Sequence, residues 1–449
     1  GTHPIHDAEQ VRAVVATARK EAARWQALGF AGRKKALGNW RKTIANRMDE
    51  LAAVMSRETG KPAGDALLEI ALAIDHISWA AGHAEKVLKR RSVNPGLLMV
   101  NQAASVEYRP LGVVGVIGPW NYPVFTPVGS IAYALAAGNT VVFKPSEYTP
   151  GVGEWLARTF KEAVGFPVLQ VVTGFGETGA ALTSAGVDKV AFTGSTATGK
   201  RVMAACAETL TPVVIEAGGK DALLVDADAD VSAAVDSALW GACANAGQTC
   251  AGVERVYVHE RVYDDFLDQL VAGARKLKAE PGGQVGPITM PSQIDIIRRH
   301  IDDALARGGR ALVGGPVPEG ATYVQPTVLV DVPADDAELA KSFAGLEAVG
   351  RQQVHHDVVI VAGIKRYLPF TARVAHGAHD VECLIAIESR DLDRLDVFDF
   401  GERQPEIVRK NSPAYTGLKI KTENRHHVGH CADALDYLIF CPVLKTAHA

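Results

Sequence analysis

Leu111-Gly112-Val113-Val114-Gly115-Val116-Ile117, running straight into Gly118-Pro119-Trp120-Asn121-Tyr122-Pro123, is the stretch on which the fold turns. The first seven residues carry no polar side chain, which suits a strand buried on both faces, as in parallel sheets covered by helices. The glycine and prolines that follow end the strand and leave a loop bearing Trp120, Asn121 and Tyr122. Downstream, apolar runs and helical periodicities alternate: helix over 131–137, strand over 140–143, helix over 153–164, strand over 168–172, a short helix over 179–184, strand over 189–192, helix over 197–210 and strand over 212–215. That rhythm specifies βαβ units and hence an α/β fold with a doubly wound parallel sheet, its ligand lying at the carboxyl ends of the strands. The loops at those ends are 118–123, 144–147, 174–179 and 193–199.

Upstream, Val11, Val14, Val15, Ala18, Ala22 and Trp25 recur at helical spacing, as do Leu37, Trp40, Ile44, Met48 and Leu51, predicting two amphipathic helices. Gly60-Lys61-Pro62 breaks the second, and a third helix from about Asp65 ends in the basic run 86–91, read as a solvated helix end. Residues 97–110 read as extended. From Gly218 a second α/β unit begins, with strand over 222–225, helix over 231–243, strand over 253–258, further segments at 266–277 and 294–306, and an extended stretch over 323–332.

With 449 residues the chain exceeds the ~250–300 at which one core usually divides, so two or more domains are expected. A net charge of -4 gives no reason to expect nucleic acid or an anionic membrane as partner. Six cysteines, at 206, 243, 250, 383, 431 and 441, show no framework spacing, which predicts reduced thiols in a cytoplasmic protein. No run approaches the ~18 apolar residues of a spanning helix, and the beginning of the chain has no signal-peptide pattern.

The chemistry centres on Gly241-Ala242-Cys243-Ala244-Asn245-Ala246-Gly247-Gln248-Thr249-Cys250, a small-residue approach to one thiol. A lone cysteine is usually a small buried hydrophobe, and Cys206 and Cys243 are read that way. Cys250 is set apart by what precedes it in order: 118–123, then Phe143-Lys144-Pro145-Ser146-Glu147, then Phe192-Thr193-Gly194-Ser195, then Ile215-Glu216-Ala217-Gly218-Gly219-Lys220. In that order and at those separations the chain resembles the aldehyde dehydrogenase superfamily, whose nucleophilic cysteine sits in an N-x-G-Q-x-C setting like Asn245 to Cys250.

The resemblance implies oxidation of an aldehyde to a carboxylic acid. Cys250 would form a thiohemiacetal and then a thioester. The Asn121 amide and the Cys250 N–H would meet the oxyanion, and Glu216 would activate water. It implies NAD as cofactor, with Pro119, Trp120, Lys144, Ser146, Glu147, Gly176, Gly179, Phe192, Gly194, Ser195, Thr198 and Gly218 as its contacts. A carboxylate at Glu147 can accept from ribose hydroxyls and would repel a 2′-phosphate, which favours NAD over NADP. Gly174-Phe175-Gly176-Glu177-Thr178-Gly179 also matches G-x-G-x-x-G, but the acidic residue that should end the next strand is Asp188, which precedes it. A rival from another class is an NTPase, because Gly194-Ser195-Thr196-Ala197-Thr198-Gly199-Lys200 resembles a phosphate loop; Arg201 stands where that loop needs Ser or Thr for magnesium.

Under this resemblance 1–91 and 111–217 form the dinucleotide-binding domain, 92–110 the oligomerisation strands of a dimer or tetramer, and 218–340 the catalytic domain. The match stops near Val332, and 341–449 is a divergent region. The family's E-E-x-F-G-P and P-F-G-G-x-K-x-S-G segments have no counterpart; the chain instead reads Ala340-Lys341-Ser342-Phe343-Ala344-Gly345-Leu346. Eight of the 14 histidines follow residue 340, and His376-x-x-His379 and His427-x-x-His430-Cys431 are read as incidental, with no metal expected. The missing segments predict NAD binding with weakened turnover and a less stable oligomer, so a catalytically impaired NAD-binding homologue stands as the alternative.

Overall fold

The computed structural model describes residues 2–332 and, beyond them, five strands: Ile360–Tyr367, Thr371–His376, His379–Leu384, Glu406–Ser412 and Tyr415–Lys421. The segments 340–346 and 351–356, and His427, His430 and Cys431, lie outside the described residues. His376 and His379 are backbone partners in the register of an antiparallel strand pair.

Helix α1 (Ala8–Ala27) opens on a capping box in which Asp7 accepts from the Gln10 N–H and the Gln10 side chain accepts from the Asp7 N–H, both at 2.9 Å. The periodicity from Leu37 to Leu51, expected to be one helix, is divided into α2 (Gly29–Asn46) and α3 (Met48–Thr59). Arg47 leaves helical geometry at φ -124° and its guanidinium bonds Glu50 and Glu162, each at 2.8 Å. Ile44 and Leu51 are both fully buried on either side of the bend, so the apolar period continues through it and gives no sign of the break. After Gly60-Lys61-Pro62 comes α4 (Ala63–Leu88).

Strands β1 (Arg91–Val93) and β2 (Ala104–Val106) pair antiparallel with Ser92 opposite Ser105. The stretch between them is not extended as expected: Leu97–Met99 forms a single 3-10 turn after Asn94 Oδ1 accepts from the Gly96 N–H at 2.9 Å. Local side-chain capture of a backbone N–H overrides the extended tendency of the apolar residues.

Five parallel strands follow, β3 (Val113–Ile117), β4 (Thr140–Lys144), β5 (Leu169–Val171), β6 (Lys189–Thr193) and β7 (Val213–Glu216), in the order β5-β4-β3-β6-β7. Helices α5 (Phe125–Ala137), α6 (Pro150–Val164), α7 (Gly176–Thr183) and α8 (Thr196–Ala207) connect them. The strand residues alternate between two cores. Val114, Val116, Val141, Phe143 and Ala191 pack with α2 to α6 and the end of α1, where Trp25, Trp40 and Phe160 meet edge to face. Val113, Ile117, Val142, Val190 and Phe192 pack with α1, α7 and α8. Both faces are therefore dry, which is why 111–117 carries no alternation of polar residues.

The second unit holds β8 (Asp221–Val225), α9 (Val231–Cys243), β9 (Val253–His259), α10 (Tyr263–Ala274), α11 (Pro291–Ala306), β10 (Arg310–Val313) and β11 (Thr327–Val330). Ile360–Tyr367, β12, lies between β11 and β9, parallel to both, giving the order β10-β11-β12-β9-β8. The remaining strands, β13 (Thr371–His376), β14 (His379–Leu384), β15 (Glu406–Ser412) and β16 (Tyr415–Lys421), form a separate sheet.

Candidate active site

Strand order reverses at β3, where β4 lies on one side and β6 on the other, so the loops leaving β3 and β6 diverge and open a crevice at their carboxyl ends. Pro119, Trp120 and Asn121 leave β3; Lys144 ends β4 and is followed by Ser146 and Glu147; Phe192 lies in β6 and is followed by Gly194 and Ser195; Glu216 ends β7, with Gly218 beyond it. These residues, scattered over a hundred positions of sequence, thus share one edge of one sheet.

The thiol loop is shaped by a left-handed run, Asn245 (φ 54°), Ala246 (φ 58°) and Gly247 (φ 73°). Two non-glycine residues in that region are held by side-chain bonds. The Asn245 amide donates to the Asn121 and Gln248 carbonyls, both at 3.0 Å. Gln248 donates to the Asn245 carbonyl at 2.9 Å and accepts from the Thr289 N–H at 2.8 Å. Asn121 Nδ2 donates to the Gln248 carbonyl at 2.9 Å, and the Tyr122 hydroxyl meets Thr249 Oγ1 at 2.8 Å. The loops 121–122 and 245–250 are thereby laced together around Cys250, which is half-buried.

Gly219 donates its N–H to the Cys250 carbonyl at 3.1 Å, and a Cβ there would meet that oxygen at 3.0 Å, so the Glu216 loop approaches the thiol loop only because the residue is glycine. Burial pushes the Cys250 thiol up to about 11, with the charges of Glu216 and Asp221 adding to the rise. The Ala251 and Cys250 N–H groups bond the sulfur and act in the opposite direction. Cys250 therefore rests as a thiol at neutral pH. Cys206 is buried in the core with α1, α7 and α8 and Cys243 in the core of the second unit, as the sequence predicts of both, and burial pushes Cys243 up to about 12.

At the carboxyl end of β4 Lys144 is buried, and burial lowers its pKa while Glu147 acts against that. Glu147 lies 3.7 Å from Lys144 Nζ, accepts from Ser146 Oγ at 3.2 Å and is exposed. Ser195 caps α8 by accepting from the Thr198 N–H at 3.2 Å. A Cβ on Gly194 would stand 2.7 Å from the Phe192 ring, so the backbone leaving β6 lies against that ring. The 174–179 turn lies after the edge strand β5, where Thr173 and Thr178 donate to the Pro4 and His6 carbonyls. Gly176 and Gly179 have open space where a side chain would be. Asp188 is a structural residue: it accepts from the Val113 N–H at 2.7 Å and pairs with Arg19. Lys200 is exposed on α8 and Arg201 bonds Thr198, an arrangement unlike a phosphate-gripping lysine.

The sequence profile of the aldehyde dehydrogenase family matches residues 1–343. The chain belongs to that family. It is 39% identical over 338 residues to a 4,4′-diapolycopene aldehyde oxidase of Methylomonas sp, an alignment covering 74% of this chain and 63% of that one. It is 35% identical over 376 residues to the NADP(+) succinate-semialdehyde dehydrogenase of Escherichia coli, covering 81% and 76%. A crystal structure of an NADP-dependent E. coli enzyme superposes with a TM-score of 0.74 at 32% identity, covering 83% of this chain and 79% of that one. One of PnpE in complex with nicotinamide adenine dinucleotide gives 0.68 at 35%, covering 73% and 69%. Aldehyde dehydrogenases similar to this chain thus include NAD- and NADP-associated proteins. The chain spans 63% of the length of the diapolycopene aldehyde oxidase. Among the described residues no helix is long and apolar enough to cross a membrane.

Several residues placed around Asn121 and Cys250 escape sequence reading. Lys61, behind the α3–α4 break, reaches the Asn121 carbonyl at 2.9 Å, and Asp65 accepts from the Asn245 N–H. Asp221 lies close enough to bear on Cys250, and Glu254 is buried on β9 with Lys220 at 3.7 Å, burial pushing its carboxyl up to about 7. The signal for Lys61 in the sequence is a charged residue between Gly60 and Pro62, a setting usually solvated, whereas the folded chain buries the lysine.

Proposed function

We propose that this protein oxidises an aldehyde to a carboxylic acid with NAD, through a thiohemiacetal and then a thioester on Cys250. The observation that carries the reading is the half-buried Cys250 thiol, whose loop is laced to the Asn121 loop and on which the Glu216 carboxylate is near enough for its charge to bear. The minor fraction of Cys250 that has lost its proton to solvent adds as thiolate to the carbonyl carbon, and the oxyanion that forms is met by the Cys250 N–H and the Asn121 amide. Asn121 Nδ2 has two hydrogens; the bond to the Gln248 carbonyl takes one and fixes the direction of the other. What bound NAD supplies is an acceptor for the hydride that leaves the adduct. Cys250 is then acylated, and Glu216 takes a proton from the water that hydrolyses the thioester.

The crevice suits a dinucleotide. Lys144 is a buried cation 3.7 Å from Glu147, Glu147 offers exposed oxygens for ribose hydroxyls, and the capped N-terminus of α8 presents N–H groups to a pyrophosphate. Glu147 also supports NAD over NADP, since a 2′-phosphate beside it would be repelled. A homo-oligomer is supported by the β1–β2 connection, where Leu97 and Leu98 are 88% and 95% exposed. The family match ending at residue 343 favours a second reading, an NAD-binding homologue with weak turnover. A screen of aldehydes with NAD, read by absorbance of the reduced nicotinamide, tests both. Turnover with an acyl adduct on Cys250 by mass spectrometry is expected. Binding of NAD without reduction by any aldehyde would leave the second reading.

A further inference from the structure

The Lys61–Glu69 pair is buried, its side chains 3% and 0% exposed, with Nζ 2.5 Å from Oε2. Removing two charges from water is costly and is not by itself a source of stability, so what the pair touches matters. Lys61 Nζ donates to the Asn121 carbonyl at 2.9 Å and stands 5.0 Å from the centre of the Tyr122 ring. Glu69 Oε1 accepts from the Val124 and Phe125 N–H groups at 2.7 and 3.0 Å. One end of the ion pair holds the peptide oxygen of Asn121, and the other holds the two N–H groups that open α5. The segment carrying the Asn121 amide is thus gripped at both ends by groups on a different part of the chain. Asn245, from the thiol loop, shares the same carbonyl at 3.0 Å.

We infer that Lys61 and Glu69 are positioning residues for the Asn121 amide: the buried pair fixes the 121–125 segment so that the amide hydrogen not used on Gln248 is aimed at the oxyanion. The inference rests on the reading of Asn121 as an oxyanion donor. It assigns the pair no contact with the reacting atoms and no part in proton transfer. A rigid donor is worth more than a mobile one because it needs no reorganisation as charge develops.

The test is a double-mutant cycle on the burst of reduced cofactor, using Lys61→Met together with Glu69→Gln. Methionine keeps the unbranched stem without the charge, and glutamine keeps an oxygen for the Val124 and Phe125 N–H groups. Thermal melting and a calorimetric NAD titration establish folding, and iodoacetamide alkylation of Cys250 reports the thiol loop without needing an oxyanion donor. The burst rate is expected to fall about tenfold, with NAD affinity and alkylation rate changed by less than about twofold. In an Asn121→Ala background the same two changes are expected to have no further effect. An unchanged burst, or an equal fall when Asn121 is already absent, would overturn the inference. If Asn121→Ala alone left the burst intact, the reading of Asn121 would be what failed. Should the double variant not fold, Glu69→Gln alone carries the test: a drop of about two- to fivefold, absent in the Asn121→Ala background, is expected, and no drop overturns it.

Discussion

The two large sheets are assembled from the chain in different ways. The first takes all five strands from Val113 to Glu216, pairs them in parallel, and joins successive strands through single helices. The second takes β8 to β11 from 221–330 but leaves β11 and β9 apart, and β12 at 360–367 fills the interval. The first sheet closes within a contiguous stretch inside the family match; the second depends on a strand beyond residue 343, where that match ends. Long-range strand insertion closes a long loop before its contacts form, so it is the later and more easily disturbed step. The crevice residues Lys144, Glu147 and Ser195 belong to the first sheet and Cys250 to the approach to β9 in the second. Cofactor binding and thiol chemistry should therefore be separable by mutation.

The sharpest separation is Cys250→Ala, which should abolish aldehyde oxidation while calorimetric NAD titration stays within about twofold of the parent. Loss of NAD binding in that variant would show that the two sheets act as one. Glu216→Gln lies between them and should lower steady turnover by about 10²–10⁴ while allowing one burst, the thioester then being visible by mass spectrometry. The same substitution removes a charge that raises the Cys250 pKa. With that pKa at about 11, thiolate is scarce at neutral pH and alkylation by iodoacetamide should climb about tenfold per unit between pH 7 and 10. Glu216→Gln should shift that profile to lower pH; an unshifted profile would mean that Glu216 does not face the sulfur.

Ala362→Pro, in the strand between β11 and β9, removes a backbone donor from a central position and should destabilise the second unit by about 3 kcal/mol. Calorimetry should show an earlier transition, with turnover lost and NAD binding kept. An intact second unit would mean that its sheet does not require β12. The smallest effect expected is Glu147→Ala, which should weaken NAD about tenfold and relax discrimination against NADP without altering alkylation of Cys250.

The first sheet was nearly all legible because its information is local. An uncharged run buried on both faces, alternating with helical periods, leaves few topologies, and 111–117 together with 140–143, 189–192 and 212–215 appear as β3, β4, β6 and β7 within two residues. The bend at Arg47 was not legible, because the burial of Ile44 and Leu51 keeps the helical period on both sides of it. Nor was the turn at Leu97–Met99, which depends on one Asn94 oxygen reaching the Gly96 N–H.

By itself the sequence determined the α/β class, the order of the loops along the crevice edge, and membership of a family whose motifs this chain follows to near Val332, the family profile reaching residue 343. These follow from periodicity and from residue types at short range, which the chain carries in one dimension. Only the tertiary structure decided that Asp188 serves Val113 and Arg19, that Asp221 bears on Cys250, and that a lysine in a Gly-Lys-Pro turn reaches the Asn121 peptide 60 residues away. The physical reason is that the effect of a charge depends on its surroundings: the same Lys61 would be a solvated surface cation in an open turn, and it becomes part of the site because folding removes water from around it and leaves Glu69 and one carbonyl as its partners.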